Sequence, residues 1–272
     1  MSSTRIAAVQ MVSTPNIERN LDAAARLIAE AAAGGAQLVA LPEYFCLMGL
    51  SDRAKLEHAE TPGDGPIQRF LAEQARSHGV WLVGGTLPLK DATVAAKARN
   101  SSGVYAPDGT QVARYDKLHL FHYDNGRERY DEGAVLEAGS DPVALDAAGL
   151  RLGLSICYDL RFPELYRRLM TPKPCDLLAV PSAFTYTTGR AHWQLLLRAR
   201  AVENQCYVIA PAQGGQHENG RRTWGHSLIV DPWGEVLAER EEEGEGVVSA
   251  DVDRERIAAV RRQLPALGHR RL

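Results

Sequence analysis

Short apolar runs alternate with amphipathic stretches along this chain, a pattern typical of a layered α/β protein. The amphipathic stretches carry apolar residues at helical spacing and predict helices over residues 16–33, 67–77, 163–170 and 191–204. The apolar runs predict strands over residues 6–10, 37–41, 80–86, 152–156, 177–180 and 206–210. Because the last three runs are continuously apolar, we expect those strands to be covered on both faces.

Two further pairs of extended segments flank turn sequences and predict hairpins. The paired segments are residues 102–106 with 111–115, and 227–231 with 235–238. Antiparallel hairpins argue against an all-parallel doubly wound sheet and favour mixed sheets packed on each other, with helices outside. The sequence contains neither an internal repeat nor a linker-like tract, so we expect residues 1–272 to form a single domain.

Composition narrows the class of protein. The 272 residues include 31 Lys+Arg against 34 Asp+Glu, a net charge of −3, and 45% are apolar. This balance is typical of a soluble globular chain and offers no basic footprint for nucleic acid. No run approaches the ~20 apolar residues of a membrane span, and the first residues lack the pattern of a signal peptide. The four cysteines form no CxxC pair, so we expect reduced thiols in a cytoplasmic protein rather than a disulfide framework or a zinc site.

Three polar residues follow predicted strands, where α/β folds commonly place their active sites. Glu43 follows the strand at 37–41, Lys117 follows the first hairpin, and Cys157 follows the strand at 152–156. Taken separately, a glutamate or a lysine in such a position is usually a solvated charge, and a cysteine is usually a small buried apolar residue. A thiol at a strand-to-helix turn, however, is placed like an exposed nucleophile, and the positive end of the following helix is expected to favour its thiolate.

Together, the three residues resemble the Glu-Lys-Cys triad of the nitrilase superfamily of carbon–nitrogen hydrolases. The motifs that carry the resemblance are Leu41-Pro42-Glu43, Tyr115-Asp116-Lys117-Leu118-His119-Leu120 and Cys157-Tyr158-Asp159-Leu160-Arg161-Phe162-Pro163-Glu164. The similarity extends from Ile6 to the C-terminus. It implies a four-layer αββα sandwich with mixed β-sheets, assembled as a homodimer or a higher homo-oligomer.

The resemblance also implies a role for each member of the triad. Glu43 is expected to be the general base, and Cys157 the nucleophile that forms a thioester. Lys117 and the backbone N–H of Tyr158 are expected to stabilise the tetrahedral oxyanion. This chemistry needs neither a metal nor an organic cofactor.

The segment after the lysine motif supplies further expected site residues. Members of the superfamily carry a second glutamate that orients the site; Glu132 is the expected match and Glu128 the alternative. A substrate that is anionic requires a second cation, for which Arg127 and Arg129 in the loop at 122–131 are candidates. Exposed loop charges are the competing interpretation for both arginines.

Residues after the cysteine motif are also expected near the pocket. Phe184 and His192 follow the next strand and are predicted to line the pocket, whereas Trp193 is predicted to pack in the core. Arg161 is a further candidate cation. Because it stands beside Asp159 and Glu164, a structural ion pair is the favoured interpretation.

The substrate class follows from the branch of the superfamily. Tyr158-Asp159 stands where true nitrilases usually carry Trp-Glu, so the chain resembles the amidase-like branch. Short segments, among them 181–184 and 205–208, resemble the deaminated glutathione amidase type. This likeness implies hydrolysis of a small anionic 2-oxo acid amide, deaminated glutathione, to 2-oxoglutarate and cysteinylglycine. Three alternatives stay open: an ω-amidase acting on 2-oxoglutaramate, a hydrolase of N-carbamoyl amino acids or aliphatic amides, and a catalytically silent binding protein on the same fold.

Overall fold

The computed structural model describes residues 3–90 and 96–271. Its strands are β1 (Thr4–Gln10), β2 (Leu38–Ala40), β3 (Trp81–Val83), β4 (Leu87–Lys90), β5 (Ala98–Tyr105), β6 (Gln111–Asp116), β7 (His122–Asp124), β8 (Arg129–Asp131), β9 (Ala144–Ala147), β10 (Leu150–Leu154), β11 (Leu177–Ala179), β12 (Tyr207–Ala210), β13 (Gly214–Gln216), β14 (Arg222–Trp224), β15 (Leu228–Val230), β16 (Val236–Glu239) and β17 (Gly246–Val252). Its α-helices are α1 (Ile17–Ala33), α2 (Ala54–Glu57), α3 (Pro66–His78), α4 (Pro163–Leu169), α5 (Tyr186–Asn204) and α6 (Arg254–Gln263).

Two mixed sheets form the centre of the molecule. One joins its strands in the order β17-β1-β2-β3-β5-β4, with β6 paired to β5; β1, β2 and β3 are parallel. The other has the order β16-β15-β12-β11-β10-β9, with β10, β11 and β12 parallel. Both predicted hairpins are present as antiparallel pairs, β5 with β6 and β15 with β16. The prediction of mixed sheets is therefore confirmed.

The alternation of side chains along β1 explains how the layers stack. Ile6 and Ala8 belong to the core that the first sheet shares with the second, whereas Ala7 and Val9 belong to the core beneath α1 and α3. The second sheet is covered on its outer face by α4 and α5, which add Trp193 and other apolar residues to the shared core. The order helix, sheet, sheet, helix confirms the expected αββα sandwich.

Some elements differ from the sequence-based prediction. The helix predicted over 191–204 begins at Tyr186, because the Thr185 side chain accepts a hydrogen bond from the Thr188 N–H and caps it. The loop predicted over 122–131 contains the hairpin of β7 and β8. Strand β17, which the pattern did not predict, pairs with β1 over its whole length. In the described ranges, no helix is both long enough and apolar enough to cross a bilayer.

Candidate active site

Cys157 lies on the turn between β10 and α4. Its φ is +46°, a left-handed conformation that strains a residue with a Cβ. The Cys157 N–H donates to the Pro181 carbonyl at 3.0 Å, and the 3₁₀ turn Cys157–Arg161 starts here. Among residues 3–90 and 96–271, no acceptor takes a hydrogen bond from the Tyr158 N–H, which therefore stays available to a ligand. A strained turn that presents a nucleophile and a free N–H is the arrangement of a nucleophile elbow.

The buried carboxylate of Asp159 fixes this turn against the lysine motif. It accepts hydrogen bonds from the Ile156 N–H at 2.8 Å and from the Tyr115 hydroxyl at 2.7 Å. It also accepts from the His119 N–H at 3.0 Å. Because these donors come from the lysine motif and from the residue before Cys157, Asp159 connects the cysteine turn to the segment that carries Lys117.

Lys117 joins two buried carboxylates. Its Nζ lies 2.8 Å from Glu43 Oε1 and 2.8 Å from Glu132 Oε2. Only 1% of Glu43 and of Lys117 is exposed, so solvent screens these ion pairs little. Asn100 Nδ2 donates to Glu43 Oε1 at 2.8 Å, and the Ala183 N–H donates to Glu43 Oε2 at 3.0 Å. Both oxygens of Glu43 are thereby held in a fixed orientation.

Glu132, rather than Glu128, is the second glutamate in contact with the lysine. Its carboxylate also accepts hydrogen bonds from the Tyr44 hydroxyl at 2.7 Å and from the Phe121 N–H at 2.8 Å. Glu128 accepts instead from the Tyr130 hydroxyl at 3.3 Å. The structure thus brings together the expected triad residues and Glu132.

The electrostatics give the two glutamates different properties. Burial and the charge of Glu132 raise the pKa of Glu43, and Lys117 offsets only part of this rise. Burial also acts to raise the pKa of Glu132, but Lys117 and Lys55 outweigh it and hold that pKa below the ordinary value. Burial acts to lower the pKa of Lys117, yet the two carboxylates outweigh it and keep the ammonium charged. Glu43 is therefore the carboxylate displaced toward the working range of a general base.

The surroundings of the Cys157 thiol disfavour its thiolate form. Burial, followed by the negative charge of Glu43, raises its pKa well above the ordinary value, and Lys117 lowers it only in part. The expectation that the helix end favours a thiolate is wrong, because burial of the thiol and the charge of Glu43 outweigh any effect of the following helix. A neutral thiol needs a base to remove its proton during attack.

A cavity of about 640 Å³, including its open mouth, lies over the thiol. Cys157, Glu43 and Glu132 line it, and Phe184 lies in the wall as predicted. The wall also contains cations that the sequence analysis did not assign to the site: Lys55, Arg221 and Arg222. Aromatic and apolar walls with a few charged groups are typical of sites for small organic ligands.

Among the described residues, three predicted pocket residues lie outside the lining. His192 is exposed on α5, with its Nδ1 3.3 Å from Arg161 Nη1. Arg127 and Arg129 are exposed on the hairpin of β7 and β8, and Arg129 Nε lies 4.0 Å from Asp124 Oδ2. The predicted placement of His192, Arg127 and Arg129 at the pocket is therefore wrong in this structure, because the helix and the hairpin turn these side chains to solvent.

Arg161 lines the cavity instead of forming the predicted ion pair. Its guanidinium carbon lies 5.3 Å from the centre of the Phe184 ring and 5.8 Å from that of Tyr158. Asp159 cannot pair with it, since its oxygens accept from the donors described above. Within the described ranges Arg161 has no carboxylate partner, so its charge is available to an anion.

Comparison with known proteins assigns the family. The profile of the family described as "Carbon-nitrogen hydrolase" matches residues 5–262. The chain belongs to this family. It is 45% identical over 267 residues to the deaminated glutathione amidase of Synechocystis sp., covering 97% of each chain. It is 41% identical over 273 residues to the omega-amidase NIT2 of Xenopus tropicalis, covering 100% of this chain and 96% of that relative.

A solved structure agrees in fold over the same length. Saccharomyces cerevisiae Nit3, described as a member of branch 10 of the nitrilase superfamily, has a TM-score of 0.88 and 34% identity, covering 99% of this chain and 97% of that one. With its relatives, this likeness identifies the chain as a carbon–nitrogen hydrolase of the amidase type.

Proposed function

We propose that this amidase hydrolyses deaminated glutathione to 2-oxoglutarate and cysteinylglycine, with Cys157 as nucleophile. The observation that carries the proposal is that Lys117 bridges two buried glutamates, which line the same cavity as the Cys157 thiol and the cation Arg161. The similarity to the Synechocystis amidase supports the choice of substrate. The free Tyr158 N–H supports acyl transfer rather than binding alone.

In the first half of the reaction, Glu43 takes the proton from the Cys157 sulfur while the sulfur attacks the amide carbonyl carbon. Lys117 and the Tyr158 N–H stabilise the oxyanion that forms. The C–N bond then breaks, and the leaving amine of cysteinylglycine takes the proton from Glu43. A 2-oxoglutaryl thioester remains on Cys157.

In the second half, water replaces the amine. Glu43 takes a proton from the water, whose oxygen attacks the thioester carbon. The C–S bond breaks, and the sulfur recovers its proton from Glu43 as 2-oxoglutarate leaves. Glu132 orients Lys117 throughout by its two-oxygen contact.

Arg161 is the side chain best placed to bind the carboxylate of the 2-oxo acid. It lies against Phe184 and Tyr158, beside the nucleophile, and its guanidinium suits a bidentate contact with a carboxylate. An ω-amidase acting on 2-oxoglutaramate is the second candidate, because it forms the same acyl group and a relative of that activity is 41% identical.

The test is a substrate panel offered to the purified protein and to Cys157→Ala. The panel comprises deaminated glutathione, 2-oxoglutaramate, an N-carbamoyl amino acid and a simple nitrile. The proposal predicts 2-oxoglutarate chiefly from deaminated glutathione, lost in the variant. Preferred turnover of another substrate contradicts the choice of substrate, and silence on all four contradicts the activity.

The assembly and location are also proposals. We infer a homodimer or a higher homo-oligomer, in the cytoplasm. Self-association is supported by exposed apolar side chains on α5 and on the hairpin of β15 and β16. They are Leu195, Val202, Trp233 and Leu237. Light scattering after gel filtration tests it, and a monomeric mass contradicts it.

A further inference from the structure

A second cationic group lines the cavity away from Arg161. Lys55 Nζ lies 2.8 Å and Arg221 Nη2 lies 3.1 Å from the same oxygen of Asp52. All three residues belong to the cavity wall. Asp52 precedes α2, Lys55 lies on α2, and Arg221 lies in a turn about 170 residues later. Only the fold brings these three residues together.

The aromatic contacts of this group differ from those of Arg161. Lys55 Nζ lies 4.7 Å from the centre of the Tyr44 ring, and the Arg221 guanidinium lies 5.0 Å from that of Tyr130. Arg161 instead contacts Tyr158 and Phe184. Arg161 and the group at Asp52 therefore contact different aromatic rings of the wall.

The group formed by Asp52, Lys55 and Arg221 carries a net positive charge of its own. Burial acts to raise the pKa of Asp52, but Lys55 and Arg221 outweigh it and hold that pKa below the ordinary value, so the carboxyl is ionised. Two cations against one anion leave one positive charge. Lys55 also helps to hold the pKa of Glu132 below the ordinary value, so it stabilises that carboxylate as well as Asp52.

The substrate proposed above carries two carboxylates. One belongs to the 2-oxo acyl part and the other to the glycine end of the leaving dipeptide. By contrast, 2-oxoglutaramate releases ammonia and has no anion on the leaving side. A site that handles the larger substrate needs two cationic regions, whereas the smaller substrate needs one.

We propose that Arg221 and Lys55, held by Asp52, form a subsite for the carboxylate of the leaving group and thereby favour amides with an anionic leaving group. This inference rests on the proposed function. It makes Arg221 a specificity-determining residue that acts on the leaving side, away from the reacting atoms.

The experiment compares kcat/KM of the wild type and Arg221→Gln on three substrates. These are deaminated glutathione, its analogue with a carboxamide in place of the glycine carboxylate, and 2-oxoglutaramate. We expect kcat/KM of the variant for deaminated glutathione to fall about 10- to 100-fold, the usual effect of losing one hydrogen bond between charged groups. We expect no change with the other two substrates, which also shows that the variant is folded. Arg19→Gln is the matched control, because Arg19 forms an exposed ion pair with Glu218 close to the same turn.

The outcomes separate the two proposals. Equal wild-type activity on deaminated glutathione and its carboxamide, or an equal loss on all three substrates in Arg221→Gln, overturns the subsite and leaves the activity standing. A wild type that turns over 2-oxoglutaramate but not deaminated glutathione overturns the proposed substrate and the subsite together. A selective loss in Arg19→Gln also overturns the subsite.

Discussion

Replacing Lys117 by methionine leaves two buried carboxylates facing each other without their shared counter-ion. The lysine makes contacts of 2.8, 3.1 and 2.8 Å with Glu43 and Glu132, all sheltered from solvent. Removing one partner of such a buried pair costs about 3–5 kcal/mol of unfolding free energy. We expect Lys117→Met to be destabilised by that amount at neutral pH, and to lose its amidase activity.

The size of this loss depends on pH in a definite direction. Without Lys117, burial and mutual repulsion raise the folded-state pKa of Glu43 and Glu132 above the ordinary value of 4.5. The folded variant then binds protons more tightly than the unfolded chain, so its stability falls as the pH rises through the raised pKa. The deficit relative to the wild type is therefore largest near about pH 8 and shrinks toward about pH 5.

Urea denaturation at both pH values measures the deficit. Lys97→Met is the matched control, because Lys97 forms a half-exposed pair with Glu137 at 3.4 Å and such pairs contribute at most about 1 kcal/mol. Glu132→Gln added to Lys117→Met removes one of the two opposed charges and should restore part of the stability. A deficit that is the same at both pH values, or no larger than that of the control, refutes this electrostatic reasoning.

Two further predictions concern the base and the nucleophile. Glu132→Gln removes a negative charge that raises the pKa of Glu43, so the acid limb of kcat/KM should move to lower pH; an unmoved limb contradicts the assignment of Glu43 as base. Iodoacetamide should label Cys157 ahead of the other cysteines and more slowly in Glu43→Gln, because Cys157 lines the cavity beside its base. The other three thiols, Cys46, Cys175 and Cys206, are fully buried. Equal labelling of all four cysteines, measured by peptide mass spectrometry, contradicts the prediction.

Local patterns predicted the parts of the fold that local physics decides. The apolar run of β1 and the capped amphipathic helix α1 can each be recognised within a short stretch of sequence. The same holds for the hairpin around Gly109, whose φ of +87° suits glycine. Strand β17 could not be recognised from its own stretch of sequence, because its pairing with β1 depends on residues more than 200 positions apart.

The same distinction applies to the site. Glu43, Lys117 and Cys157 follow strands and stand in distinctive motifs, so their meeting could be predicted. Lys55 and Arg221 lie in no such motif, since their proximity arises only from the packing of distant loops. The ion pair predicted for Arg161 from its sequence neighbour Asp159 does not form. Asp159 is buried and accepts hydrogen bonds from backbone N–H groups, which leaves the arginine free to line the cavity.

The most direct test of the thioester route is to trap it. Rapid acid quench of the wild type with deaminated glutathione and, separately, with 2-oxoglutaramate should give an adduct of identical mass on the peptide that contains Cys157. The masses are identical because both substrates transfer the same 2-oxoglutaryl group before water enters. Cys157→Ala should carry no adduct and show no turnover. Turnover that persists in Cys157→Ala, or an adduct on a different residue, contradicts the assignment of Cys157 as the nucleophile.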